Sequence, residues 1–222
     1  MNEPSFRMVS AKFQGVGALN RSKNNKREKI LNAAIKVFAL KGFYNAKVAE
    51  IAREAGVADG TIYLYFKNKD DVLISLFEEC MAWFMDECKK KLEGSVDVFD
   101  QLKMVITYHL HLFEENPELA EVLTVELRQS SKFMREYKPQ HFLDYLNMYG
   151  AIINEGKQRG EISPTLNTRL VTRMIFGAMD EVALDWALSG KRPYTLSRAA
   201  EELADLLISG IRASAPPTPA AG

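Results

Sequence analysis

Two cysteines, two tryptophans, three histidines and a net charge of zero are what 222 residues supply of the groups used for cross-linking, metal binding or attraction of anions. Cys80 and Cys88 lie eight apart in a helical segment, a spacing that suits neither a disulfide framework nor a zinc site. His109 and His111 are two apart and so leave a helix on different faces, and His141 stands alone; no metal site is expected. No apolar run reaches the roughly 18 residues of a membrane span, and the N-terminus lacks the apolar core of a signal peptide. There is no G-x-S-x-G, no Gly-rich phosphate loop and no H-E-x-x-H, so no catalytic residue and no cofactor are expected. These absences describe a soluble, cytoplasmic protein that binds rather than reacts, with no membrane partner.

What is present supports a sizeable core, since 47% of the residues are hydrophobic and 26% charged. The zero net charge hides an asymmetry. Residues 1–69 hold 13 Lys and Arg against 5 Asp and Glu, a balance of +8, while residues 70–222 hold 16 against 24, a balance of −8. A basic first third on an acidic remainder is the pattern of a nucleic-acid-binding head on a body that stays off the polyanion.

The stretch from Ala46 to Phe66, AKVAEIAREAGVADGTIYLYF, organises the rest. Val48, Ile51, Ala52 and Ala55 follow the spacing of a buried helical stripe, and Gly56 is a natural helix stop. A second helix is predicted over Asp59 to Phe66, with Ile62 and Phe66 inward. Gly60, Thr61, Tyr63, Leu64 and Tyr65 then look outward, and two aromatics and a leucine make a poor solvated face. They suit a helix–turn–helix whose second helix enters the DNA major groove.

Before it, residues 1–24 read as a flexible basic arm and Lys26 to Lys41 as a helix with Ile30, Ala34, Val37 and Phe38 inward and Gly42 as its stop. After it, Asn68 caps a long helix to Leu92 with Asp70 and Asp71 in its first turn. Lys69 breaks that rule, a cation where a helix favours anions, and is read as a phosphate contact. Further helices are predicted over Val96–Glu114, Pro117–Arg128, Ser131–Arg159 with Pro139 breaking or kinking it, Asn167–Ser189 and Leu196–Arg212. The fold class is all-α: residues 25–69 form a helix–turn–helix domain, 70–212 a helical ligand-binding and dimerisation domain, and 213–222 (ASAPPTPAAG) a disordered tail. Met and Phe enrich the body and suit a tunnel for a flexible ligand as well as a core. Arg128, Lys132, Arg135, Lys138, Arg169 and Arg173 are candidate receivers of phosphate, and Glu126 and Asp180 candidate partners for them. The last two helices are amphipathic and suit a two-fold dimer.

IAREAGVADGTIYLYFKNKDDVL resembles the DNA-binding head of TetR-family repressors through Gly56, Val57, Thr61, Tyr63, Tyr65, Phe66 and Lys69, with Ala46-Lys47 replacing the usual Thr-Thr and Ala58 the usual serine cap. GVADGTIYLYFKNKDDVLISLF, ELRQS at 126–130 and RMIFGAMDEVALDW at 173–186 are similar to the FadR-type, fatty-acyl-CoA-responsive repressors of fatty-acid degradation within that family. The resemblance implies a homodimer held by the last two helices, a ligand tunnel in each body, and release from a double-stranded DNA operator when a long-chain acyl-CoA binds. The candidate DNA-binding residues are Lys47, Asp59, Gly60, Thr61, Tyr63, Leu64, Tyr65 and Lys69. Candidate ligand-binding residues are Phe84, Phe113, Leu123, Leu127, Phe142, Tyr149, Phe176 and Gly177, with Arg128, Arg173 and Asp180 as the charged ones. Two alternatives stay open: the same head on a drug-sensing body that controls an efflux pump, and a helical acyl-CoA carrier or enzyme that does not bind DNA.

Overall fold

The structure is a computed structural model that describes residues 23–137 and 140–213. Residues 1–22 of the expected arm, Lys138 and Pro139 at the expected break, and residues 214–222 of the expected tail lie outside the described residues. The helices are α1 (Lys23–Asn45), α2 (Val48–Ala55), α3 (Asp59–Ile62), α4 (Lys69–Leu92), α5 (Val98–Glu115), α6 (Pro117–Thr124), a 3-10 turn (Glu126–Gln129), α7 (Ser131–Arg135), α8 (Gln140–Gln158), α9 (Thr168–Leu188) and α10 (Leu196–Ile211). The fold class is all-α, as the periodicity implies. Extended pairing among the described residues is limited to one antiparallel bridge, Ile162 with Arg212.

Local chemistry sets the helix starts. Asn68 accepts the Asp71 N–H at 2.9 Å, Asp97 accepts from Phe99 and Asp100, and Asn167 accepts the Leu170 N–H at 3.1 Å. Pro117 occupies the first turn of α6, where its missing N–H costs nothing. In α1, Gly42 takes φ 74°, ψ 157°, so the helix is broken there and the chain turns a corner into Phe43. Any residue with a Cβ is strained at that φ.

Two helices are shorter than their patterns suggest. The segment expected to be helical from Asp59 to Phe66 is regular only to Ile62, and continues to Phe66 as turns in which Leu64 N–H meets Thr61 O and Tyr65 N–H meets Ile62 O. Ala58 offers no side-chain cap, and the aromatic residues at 63, 65 and 66 are weak helix formers. Ile62 and Phe66 nevertheless both point inward, at 1% and 2% exposure. The expected Pro117–Arg128 helix stops at Thr124, whose hydroxyl donates back to Ala120 O, and tightens into the 3-10 turn. The β-branched pair Thr124-Val125 disfavours continuation, and Glu126 is held by a partner outside the helix, described below. The expected Ser131–Arg159 helix is present as α7 and α8.

A single apolar cluster runs from Ile30, Phe38, Ile51 and Phe66 through Leu73 and Phe77 into α5, α8, α9 and α10. The first three helices therefore rest on the remainder rather than standing apart, which their small size requires. Where α8 ends, Gly156 lets the chain return: a Cβ there would lie 2.6 Å from Ile162 Cδ1 and 3.2 Å from Val98 Cγ2. Gly156→Ala is expected to cost about 2 kcal/mol through this overpacking, read as a lower midpoint in urea denaturation. An unchanged midpoint would show that the 160–163 loop yields freely.

Candidate functional site

The surface that sequence assigns to DNA is open. Tyr63 is 60% and Leu64 80% exposed, Asp59 and Gly60 are exposed, and Thr61 and Tyr65 are half-buried. Nothing lies within 4 Å of where a Gly60 Cβ would be, so a ligand surface can approach the backbone there. Lys47 precedes α2 with its side chain exposed; its N–H donates to Glu50 at 3.0 Å, and Glu50 also receives the Lys41 ammonium. Gly56 closes α2 in the left-handed conformation (φ 66°, ψ 36°) that the motif anticipates.

Lys69 does something else. Its ammonium donates to the carbonyls of Phe43, of Tyr44 at 3.0 Å and of Ala46 at 3.0 Å, and lies 4.6 Å from the centre of the Phe43 ring. All three protons of the ammonium are thus engaged within the chain. Burial lowers its pKa, Asp70 partly opposing. Lys69 was read as a phosphate contact; in the structure its ammonium is committed instead to the carbonyls at the corner after Gly42, which it ties to the start of α4.

The same corner is fastened to the remainder of the chain. The buried carboxylate of Glu126 accepts the Phe43 N–H, the Tyr44 hydroxyl donates to Gln129 O at 3.0 Å, and Ser130 Oγ donates to Asp70 at 2.7 Å. Glu126 was expected to pair with an arginine and instead meets a backbone amide, because the corner brings an otherwise unsatisfied N–H to it. Asp180 does pair with an arginine, Arg128. Burial raises the Asp180 pKa and the Arg128 charge opposes that rise.

Inside α4, α5, α8 and α9 the expected ligand-facing aromatics meet. Phe84 and Phe113 lie 5.6 and 4.9 Å from His109, Phe142 lies 4.8 Å from Phe176, and Tyr145 touches Phe84, Tyr149 and Phe176. Leu127 is buried and Leu123 half-buried against the same core. Arg173 stands over the Phe142 ring at 5.7 Å. Gly177 is the exception: it is exposed with nothing within 4 Å of its Cβ position, because the helical turn from Phe176 carries it to the outer side of α9. It was a candidate ligand-binding residue, and the structure does not bring it together with the ring cluster.

Sequence reasoning missed a polar line through this interior. Tyr145 OH meets His109 Nδ1 at 2.9 Å and Tyr149 OH at 3.2 Å, and Tyr149 OH reaches Met179. The i, i+4 spacing of Tyr145 and Tyr149 was the available signal; His109 had been weighed only as a metal ligand. Burial pushes the His109 pKa down to about 4. The unfolded chain protonates histidine near 6.5 and so binds more protons than the folded chain between those values. Stability is therefore expected to fall as pH drops from about 6.5 to about 4, by at most about 3 kcal/mol from this group. Urea melts of the wild type and His109→Gln across that window check it; identical slopes would remove His109 as the cause.

The comparisons with known proteins bear on this geometry. Residues 30–76 match the model for bacterial regulatory proteins of the tetR family, and residues 77–210 match the YsiA-like protein C-terminal region. The fatty acid metabolism regulator protein of Bacillus subtilis is 40% identical over 191 residues, covering 86% of this chain and 98% of that protein. The chain belongs to the TetR family. Among solved structures, the FadR regulator of Bacillus subtilis in complex with stearoyl-CoA superposes with a TM-score of 0.77 at 40% identity, over 82% of this chain and 98% of that one. The fatty acid degradation regulator FadR of Bacillus halodurans gives 0.76 at 39%, over 83% and 99%. The TetR-family assignment makes this chain a transcriptional regulator with an N-terminal helix–turn–helix, consistent with the open surface around Tyr63. No helix of the described residues is long and apolar enough to cross a membrane.

Proposed function

We propose that the chain is a cytoplasmic, homodimeric repressor that binds a palindromic DNA operator and is released by long-chain fatty acyl-CoA, so controlling fatty-acid degradation genes. The similarity to the stearoyl-CoA-bound FadR regulator, which spans 98% of that protein, carries the reading. On it, residues 25–69 are the reading head and residues 70–212 the sensor and dimerisation body. Tyr63 touches base edges, with Gly60 and Thr61 allowing close approach and Asp59 and Leu64 flanking it; Lys47 and Tyr65 hold phosphates. The dimer forms through α9 and α10, which leave Leu170, Met174, Leu188 and Leu206 between 57% and 72% exposed in the single chain. The protein is not an enzyme and carries no cofactor; its small-molecule partner is the effector.

Release is a shift between two arrangements of the head pair. An effector drives it only by binding the released arrangement better, and moving the balance from 1:99 to 99:1 takes roughly 5.5 kcal/mol of difference. A labelled duplex selected by the protein from a random pool provides the test. Binding should weaken steeply with salt and be reversed by palmitoyl-CoA but not by a panel of cationic dyes. Reversal by the dyes and not by palmitoyl-CoA would replace this reading with a drug sensor. Palmitoyl-CoA binding without any duplex binding would replace it with a carrier.

A further inference from the structure

His109 lies on α5 inside the body, with the rings of Phe84, Phe113 and Tyr145 against it at 5.6, 4.9 and 5.8 Å. Those three rings are themselves buried, at 3%, 6% and 0% exposure, yet the imidazole they hem in is only half-buried. Its free surface therefore faces a space within the body rather than the outer solvent. Phe142 and Phe176, which also touch Tyr145, keep accessible surface as well. The two nitrogens of the imidazole differ. Nδ1 is engaged with Tyr145 OH at 2.9 Å, and Tyr145 OH in turn meets Tyr149 OH at 3.2 Å. Nε2 makes no hydrogen bond among the described residues. The side-chain atoms among them that are both sealed and unpartnered belong to Glu28, Glu78, Glu79, Tyr137 and Thr172, and Nε2 is not one of these. It is thus a polar atom with open surface in a ring-lined interior, left without a partner by the protein.

The chemistry of a fitting partner is narrow. Burial holds the imidazole neutral at neutral pH, its pKa pushed down to about 4, so the ring offers no charge to a carboxylate or a phosphate. Which proton Tyr145 shares with Nδ1 leaves Nε2 either a donor or an acceptor. A carbonyl oxygen serves only the first case, whereas an aliphatic hydroxyl serves both. A wholly saturated chain serves neither, and covers Nε2 without giving it a hydrogen bond, which costs affinity. We infer that His109 is a specificity-determining residue for the effector, its Nε2 bonding a hydroxyl carried on the acyl chain, so that hydroxylated long-chain acyl-CoA is the preferred class. The two tyrosines hold the imidazole in place from its Nδ1 side. The inference rests on the acyl-CoA reading above and narrows the class of effector that reading names.

Calorimetric titration of the full chain with palmitoyl-CoA and with its 3-hydroxy, 10-hydroxy and 16-hydroxy derivatives tests it, the preferred position locating Nε2 along the chain. At least one derivative should bind about fivefold or more tightly than palmitoyl-CoA. His109→Phe should bring that derivative to within about twofold of palmitoyl-CoA, while palmitoyl-CoA itself binds no more weakly than before. A second measurement needs no variant: with 15N-labelled histidine in the wild type, the preferred derivative should move the Nε2 resonance of one of the three histidines, and palmitoyl-CoA should not. A wild type that binds palmitoyl-CoA and no derivative more tightly overturns the inference, as does a preference that survives in His109→Phe. Equal weakening of every ligand by that variant also overturns it, because the ring would then meet the thioester they share. If the wild type binds none of them, the acyl-CoA reading itself fails and this inference goes with it.

Discussion

Tyr63→Ala will strip the protein of most of its affinity for duplex DNA while leaving the fold intact. The side chain is 60% exposed, so its removal should change stability by no more than about 0.5 kcal/mol. A base-edge contact is worth about 1–3 kcal/mol, and a dimer presents two copies, giving roughly 2–6 kcal/mol in all. That corresponds to a loss of about 30-fold to 20,000-fold. Fluorescence anisotropy on the selected duplex reads the affinity, and a thermal melt confirms the fold. Unchanged affinity at unchanged Tm would mean that the exposed turn after α3 meets water rather than a groove, and the repressor reading would go with it.

Lys69→Met is expected to do the reverse. It removes three hydrogen bonds to the carbonyls of Phe43, Tyr44 and Ala46 and the cation over the Phe43 ring. Charge-assisted bonds are worth about 1.5–3 kcal/mol each, less where the group is partly exposed, so a loss of about 3 kcal/mol is expected. For a chain of this size that lowers Tm by roughly 6–12 °C. The slope of log affinity against log salt should stay as in the wild type, because no phosphate contact is lost. Lys47→Ala makes the contrast: little change in Tm, and a slope reduced by about 0.9 for each copy that contacts a phosphate. If Lys69→Met flattens the salt slope and spares Tm, the phosphate role returns to Lys69.

That pair of lysines shows what was legible in the sequence and what was not. A cation at position 69 was visible as an anomaly at a helix start. Its cause was not, because the three carbonyls it satisfies lie 23 to 26 residues earlier, at a corner whose shape depends on the φ of Gly42. Periodicity placed α2 and the ends of α4, since each of these is a local consequence of helical spacing and capping. It overran α3 and α6, where the chain leaves regular helix for turns while keeping its apolar residues inward. Glu126 was read correctly as a carboxylate in apolar surroundings but given the wrong class of partner; a backbone amide 83 residues away leaves no mark on composition. Asp180 was legible as a carboxylate on an apolar helix in need of a cation, but which of the six candidate cations it meets, Arg128 in the 3-10 turn 52 residues earlier, was not. The polar line of His109, Tyr145 and Tyr149 escaped because its members come from two helices and each, alone, looks like ordinary core.

The corner at Phe43 and the 126–130 turn also constrain anyone who would transplant this reading head onto a foreign sensor. Cutting the gene after Phe66 would keep the residues proposed to face the operator and discard the Glu126 carboxylate, the Gln129 carbonyl and Lys69 that the end of α1 leans on. A working chimera has to inherit its seat along with its head.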